Sequence, residues 1–336
     1  MRIAIDLMGG DNAPAAVAEG CALALQKLSE DTELVIFGEE SAAKALIEEY
    51  ELDMFDVRFV ATTQQIGCDE SPTLAIRKKK DSSLVRAVES VASGETDCVI
   101  SAGSTGALLA GATFLVKRID GVKRPALAVV LPTVTGGQTV LLDSGANTDC
   151  KPQYLQQFAL MGAAYAEKVL RIERPRVGLL NNGAEAEKGN ELTKAAYALL
   201  RNTPVNFVGN CEARDALSGE FDVIVADGFD GNVLLKSIEG TAAMMMQTLK
   251  TGLYASARTK LGALLAKPAF RALKKKLDYT EAGGAPLLGV RGGVIKAHGS
   301  SNAKAFCSAI LQAERLVNGN VQPIIAESVA ALPAED

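Results

Sequence analysis

Short apolar runs of four to six residues alternate along the chain with longer Ala- and Leu-rich stretches whose apolar positions recur every three or four residues. The first spacing suits buried strands and the second suits helices packed on one face. Strands are predicted at Arg2–Leu7, Leu34–Phe37, Val57–Val60, Cys98–Ser101, Leu127–Leu131, Val140–Asp143, Val177–Leu180, Val205–Val208, Val223–Ala226 and Val294–Ala297. Helices are predicted at Pro14–Leu28, Ala42–Tyr50, Ser83–Ser93, Thr105–Val116, Gln153–Val169, Glu187–Leu200, Asn232–Leu249 and Asn302–Val317. Strand-then-helix alternation implies an α/β fold: a mostly parallel sheet with helices on both faces, in three α/β/α layers, Rossmann-like. One pair breaks the rhythm. Leu127–Leu131 and Val140–Asp143 are joined by Pro132-Thr133-Val134-Thr135-Gly136-Gly137, which reads as a hairpin and makes the sheet mixed. Without a fixed-period repeat or a low-complexity linker, residues 1–336 are expected to form a single two-lobed domain.

Composition narrows the class. The chain has 336 residues, 48% hydrophobic, with no Trp and 5% aromatics, so a large core must rest on Ala, Val, Leu and Ile. Its six cysteines, Cys21, Cys68, Cys98, Cys150, Cys211 and Cys307, include no C-x-x-C pair, which argues against a zinc site or a disulfide scaffold and for a reducing cytoplasm. Met1-Arg2-Ile3-Ala4-Ile5-Asp6 runs directly into a strand without the features of a signal peptide. No apolar run approaches the roughly 20 residues that span a bilayer. The expected location is therefore the cytoplasm.

Charge is unevenly placed. The net charge is −5, yet Gly240 to Leu277 holds no acidic residue and eight basic ones: Lys250, Arg258, Lys260, Lys267, Arg271, Lys274, Lys275 and Lys276. Leu253, Ala257, Leu261, Leu264 and Leu265 fall at helical spacing, Pro268 interrupts, and Phe270, Leu273 and Leu277 resume it. This describes a basic amphipathic helical protrusion over residues 240–282, suited to an anionic membrane surface or, on pattern alone, equally to a subunit interface.

Polar, glycine-bearing loops end six of the predicted strands. They are Asp6-Leu7-Met8-Gly9-Gly10-Asp11-Asn12-Ala13-Pro14, Ser101-Ala102-Gly103-Ser104-Thr105-Gly106, Asp143-Ser144-Gly145-Ala146-Asn147, Asn181–Asn190, Asp227-Gly228-Phe229-Asp230-Gly231-Asn232, and His298-Gly299-Ser300-Ser301-Asn302. Ligands of open parallel sheets bind beyond the carboxyl ends of the strands, so such loops converge on one crevice. The last loop contains the only histidine, followed by residues of helix-cap type, a junction where backbone N–H groups receive anions. Each loop alone also reads as an ordinary turn. No Walker loop, G-x-G-x-x-G or G-x-S-x-G stands after any strand, which disfavours ATP, dinucleotides and an activated serine.

These motifs, in order, resemble the bacterial phosphate acyltransferases of phospholipid synthesis (the fatty acid/phospholipid synthesis protein family). The resemblance runs through Met8–Pro14, Lys80–Leu84, Ser101–Leu108, Leu142–Asn147, Glu187–Asn190, Asp227–Lys236 and Gly284–Asn302, essentially the whole chain. Departures lie at Ser104, where the family usually has Asn, at Ala184, and at Glu212-Ala213-Arg214-Asp215. The resemblance implies a fold like those of isopropylmalate dehydrogenase and phosphotransacetylase, with a protruding helical pair. It also implies transfer of a long-chain acyl group from acyl carrier protein to inorganic phosphate, giving acyl phosphate, with no cofactor and no metal. Implied partners are acyl carrier protein, a membrane glycerol-3-phosphate acyltransferase, an anionic membrane surface and a second copy in a homodimer, with no nucleic acid. Peripheral attachment to the inner face of the membrane follows.

Phosphate is itself the nucleophile in such a reaction, so the site must chiefly position it and stabilise an oxyanion. The expected catalytic residues are Lys188 as the fixed cation, Asn232 as an amide donor and His298 as a donor or proton shuttle. Substrate contacts are expected from Gly9, Gly10, Asp11, Ser101, Gly103, Thr105, Gly106, Asp143, Asn147, Asn190, Gly231, Gly299, Ser300, Ser301 and Asn302, the aspartates serving mainly to hold loops. Membrane or carrier-protein contact is expected from Leu253, Arg258, Leu261, Leu265, Arg271 and Lys274. Two other functions fit the pattern: a short-chain phosphate acetyltransferase using coenzyme A, and a non-catalytic membrane-associated scaffold.

Overall fold

The structure, a computed structural model, describes residues 1–271 and 283–333. In chain order its strands are β1 (Arg2–Asp6), β2 (Glu33–Gly38), β3 (Val57–Ala61), β4 (Cys98–Ser101), β5 (Ala126–Leu127), β6 (Val129–Pro132), β7 (Gln138–Leu142), β8 (Arg176–Asn181), β9 (Asn206–Glu212), β10 (Val223–Val225), β11 (Ala285–Leu288) and β12 (Gly293–Lys296). The helices that matter below are α1 (Ala15–Leu25), α2 (Glu40–Glu49), α3 (Pro72–Lys78), α4 (Ser83–Ala92), α5 (Thr105–Gly111), α6 (Pro152–Lys168), α7 (Glu191–Leu200), α8 (Gly228–Tyr254), α9 (Ala257–Leu265), α10 (Ala303–Asn318) and α11 (Val321–Ala330).

Two sheets form where the apolar pattern predicts one. The larger has the order β3-β2-β1-β4-β12-β11-β5 and the smaller β6-β7-β10-β8-β9. The predicted strand Leu127–Leu131 is cut at Ala128: β5 pairs antiparallel with β11 in the first sheet, and β6 pairs antiparallel with β7 in the second. At the cut, the Ala128 N–H still donates to the Pro286 carbonyl of β11 at 2.9 Å. An unbroken apolar run conceals this change of sheet, because buried residues on both sides of the cut are alike. The hairpin expected between Leu131 and Val140 is present as β6–β7.

Central strands are buried on both faces, as parallel sheets with helices on either side require. In β1 only Arg2 is exposed, while Ile3, Ala4, Ile5 and Asp6 are buried. One continuous apolar cluster links the two sheets, running from Ile3, Ile5 and Ile100 through Phe158 and Tyr165 of α6 to Leu142, Val177 and Val223. Helix α10 buries Phe306, Ala309, Ile310, Ala313 and Leu316, one stripe at helical spacing, and its N-cap Asn302 accepts from the Ala305 N–H at 2.9 Å.

Helix boundaries shift where capping overrides hydrophobic periodicity. Asp227 caps α8 by accepting from Phe229 N and Asp230 N, so the helix starts at Gly228 and Asn232 lies inside it, neither its start nor its cap. Asn190 caps α7 through the Thr193 N–H at 2.9 Å, so that helix starts at Glu191, and Lys188 stands in the loop before it rather than in a first helical turn. No helix among the described residues is long and apolar enough to cross a membrane.

Candidate active site

Two buried aspartates organise the strand ends. Asp6, last residue of β1, accepts from Ser83 Oγ and Ser101 Oγ, each at 2.6 Å, and Ser101 Oγ in turn accepts from Gly103 N at 3.0 Å. Burial pushes the Asp6 carboxyl up, and the hydrogen bonds from Ser101 and Ser83 oppose that rise. A Cβ on Gly9 would collide with the Asp6 carboxylate and the Gly103 amide, which is why the chain passes here without a side chain. Asp143, following β7, accepts from the N–H groups of Leu127, Gly145, Ala146 and Asn147 and from Asn147 Nδ2, at 2.7 to 3.2 Å. Gly231 of α8 packs on the Asp143 carbonyl so closely that any side chain would overlap it. The amino end of α8 is thereby seated against the Asp143 loop.

A groove of about 620 Å³ lies between the two sheets and under α8. Its body is mostly apolar: Leu127 of β5, Val129, Val130, Leu131 and Pro132 of β6, and Leu235, Ile238, Ala242, Ala243 and Met246 of α8, with the paired Lys236 and Glu239 of α8 also on its wall. Its head is polar, formed by Thr105, Ser144, Gly145, Asn232, Lys296, His298 and Gly299. From Asn232 to Met246 is fourteen residues of one helix, or about 21 Å at 1.5 Å per residue.

At the head, the His298 loop is fixed from both sides. Asp11 N donates to Gly299 O at 2.8 Å, and Asn12 Nδ2 donates to the carbonyls of Ser300 and Ser301, each at 3.2 Å. Ser300 N donates to His298 Nδ1 at 3.2 Å, and Ser300 Oγ stands 2.8 Å from the same nitrogen. With Nδ1 accepting, the neutral ring carries its proton on Nε2. Across the head, Gly145 stands against Asn232: a Cβ on the glycine would be 3.8 Å from the amide oxygen.

Among the residues expected from sequence, Thr105, Asn232, His298 and Gly299 meet in this head. Gly10 and Asp11 touch its rim through Gly299, while Gly9, Ser101, Gly103, Asp143, Asn147 and Gly231 shape the backbone beneath it. Ser301 is buried and Asn302 is spent on capping α10. Gly106 is used elsewhere, since a Cβ there would meet Pro72 Cγ at 2.6 Å. Asn190 caps α7. Lys188 is exposed on the loop after β8, beside β10 in the smaller sheet, and does not line the groove.

The groove contains a cation that sequence reasoning passed over. Lys296 Nζ donates to Ala102 O at 3.1 Å and to Ala297 O. Burial drives its ammonium down to about 8, against the pull of Cys68, Asp6 and Asp11. The available signal was a lysine interrupting the apolar run Val294-Ile295-Lys296-Ala297. Among the described residues no cluster of three or more His, Cys, Asp or Glu is arranged to hold a metal ion.

The model of the family described as fatty acid synthesis protein matches residues 1–323. The chain belongs to this family. Curated members similar to it include a phosphate acyltransferase from Clostridium acetobutylicum, 50% identical over 93% of this chain and 94% of that protein. Another, from Anoxybacillus flavithermus, is 48% identical over 99% of each. Solved structures share the fold at low identity: a phosphotransacetylase from Streptococcus pyogenes (TM-score 0.60, 16% identity, 95% of this chain and 94% of that one) and a branched-chain phosphotransacylase from Enterococcus faecalis (0.55, 15%, 94% and 99%). The fold expected from the resemblance, α/β and phosphotransacetylase-like, is thus the fold observed. Within the family frame, the loops after β1, β4, β7, β10 and β12 supply the groove head and its supports.

Proposed function

We propose that the chain is a phosphate acyltransferase that moves a long acyl group from the thioester of acyl carrier protein to inorganic phosphate, releasing acyl phosphate for phospholipid synthesis. The observation that carries this reading is the groove itself. A head of hydrogen-bond donors with the Lys296 ammonium suits phosphate and a developing oxyanion, and a mostly apolar body along about 21 Å of α8 suits an acyl tail of many methylenes. An acetyl group would leave that body unused.

Asn232 is placed to donate its amide to the thioester carbonyl, and His298 to donate from Nε2 to phosphate. Lys188, outside the groove, is proposed to meet the phosphate or the carrier arm as it enters. The product must pass to a membrane glycerol-3-phosphate acyltransferase, and helices α8 and α9 offer a surface for the journey. Leu261, Leu264 and Leu265 are 61%, 64% and 78% exposed, with Arg258, Lys260, Lys267 and Arg271 around them. Such a surface fits an anionic membrane, and peripheral attachment is part of the proposal, as is a homodimer. Leu253 is half-buried, and Lys274, Leu273 and Leu277 lie outside the described residues.

Donor choice tests the proposal. The chain is incubated with phosphate and either palmitoyl-carrier protein or acetyl-coenzyme A, and released thiol is measured. Release from the palmitoyl donor is expected; release only from acetyl-coenzyme A assigns the short-chain reaction, and release from neither assigns a non-catalytic role.

A further inference from the structure

Lys296 is held where the established features of the fold do not need it. β12 pairs with β4 so that Lys296 stands level with Ser101 at the sheet's carboxyl edge. A structural lysine at such a place would turn outward to water, since desolvating an ammonium is costly. Its Nζ instead lies against the Ala102 and Ala297 carbonyls in the groove head. Those two acceptors occupy two of its three N–H groups, and the third remains for a guest. Asp6, which ends β1, attracts the ammonium, while each of its own oxygens accepts from a serine hydroxyl.

We propose that Lys296 is a catalytic residue: its ammonium holds the attacking phosphate at the groove head and passes a proton to the departing sulfur. This rests on the acyl-transfer reading above and assigns it a proton path. Hydrogen phosphate forms the new C–O bond, the C–S bond breaks, and its electron pair leaves on sulfur. Lys296 protonates that sulfur and is reprotonated by the phosphate hydroxyl, which becomes more acidic once the phosphate is acylated. One proton moves from phosphate to thiol, and no other reactant is required. An amine buried to this degree is poised for both halves of the exchange near neutral pH. The titratable groups around it are Asp6 on β1, Asp11 after β1, Cys68 before α3, His298 beside it, and Lys236 with Glu239 on α8.

The test compares the full chain with Lys296→Met, Lys296→Gln and Lys296→Arg, each checked for folding by circular dichroism. Calorimetric titration with inorganic phosphate alone should show at least tenfold weaker binding in whichever of the Met and Gln variants folds. In turnover with palmitoyl-carrier protein, Lys296→Arg should keep its phosphate KM within about fivefold, since the charge persists. Its kcat should fall at least 100-fold, and it should lack the alkaline decline expected of the wild type near pH 8. Wild-type phosphate affinity in the neutral variants, or an unchanged alkaline limb in Lys296→Arg, overturns the proposal. Phosphate binding that depends on Lys296 in a chain that cleaves no thioester would instead overturn the acyl-transfer reading, and the proton role with it.

Discussion

Ala242 is the position at which the groove's length becomes measurable. It stands ten residues beyond Asn232 on α8, half-buried, between Ile238 and Met246 on the face that lines the groove, about 15 Å from the polar head at 1.5 Å per residue. Ala242→Phe places a phenyl ring across the distal third of the apolar body. The helix tolerates the change, since Phe costs only about 0.5 kcal/mol relative to Ala in propensity. If a sixteen-carbon chain threads the groove, the ring expels about four methylenes, and at about 0.8 kcal/mol each the loss is about 3 kcal/mol, or roughly 100-fold in kcat/KM. An eight-carbon chain ends short of the ring and should lose less than about threefold. The assay is thiol release at subsaturating donor, with eight-, twelve- and sixteen-carbon acyl groups on the same carrier protein. Equal losses for the short and the long donor would refute the reasoning, because the ring would then be disturbing the site rather than shortening a tail channel.

Other expectations follow from the same geometry. Asp143→Ala strands the donors at Leu127, Gly145, Ala146 and Asn147 and should cost at least about 3 kcal/mol in urea unfolding; a loss under 1 kcal/mol would show the loop to be held otherwise. Lys296 lies low, at about 8 against an ordinary 10.5, so between those two values the unfolded chain binds more protons and stability should rise with pH. Lys296→Met should abolish that rise and, below pH 8, gain up to about 3 kcal/mol, partly offset by the two carbonyls it leaves without a donor; an unchanged slope would contradict the assignment. Leu261→Glu combined with Leu265→Glu should weaken binding to anionic liposomes at least tenfold while soluble turnover stays within about twofold; unchanged liposome binding would remove the membrane role from α9.

What the chain discloses before folding depends on distance along it. Strand-end loops such as Asp143-Ser144-Gly145 and Asp227-Gly228-Phe229 are local, and their turn and cap chemistry was legible residue by residue. The break at Ala128 was not, because only the pairing of Leu127 with Leu287, 160 residues away, reveals that β5 and β6 belong to different sheets. Strand β11 was hidden by Pro286 and the glycines that flank it, and α11 by Pro323 in its first turn, where proline is tolerated. Helix α3, only seven residues long, offers too few turns for a periodic signal.

The candidate site divides along the same line. His298 and Gly299 were found because their loop carries its own turn and cap signature, and Asn232 because it closely follows the Asp227-Gly228 cap of α8. Lys296 was missed because one of the carbonyls that hold its ammonium in the groove head belongs to Ala102, 194 residues earlier in the chain. Lys188 carries a signature but no placement in the groove: Asn181 Nδ2 holds its carbonyl at 3.2 Å, and the side chain faces solvent.

The central claim is that inorganic phosphate attacks the thioester carbon. The chain, palmitoyl-carrier protein and phosphate labelled with 18O at every oxygen, followed by mass spectrometry of the lipid product, tests it directly. A palmitoyl phosphate retaining all four labelled oxygens, formed together with free carrier thiol, is the expected result. Unphosphorylated palmitate released at the rate of the thiol would contradict it, because water rather than phosphate would then be the nucleophile at the groove head.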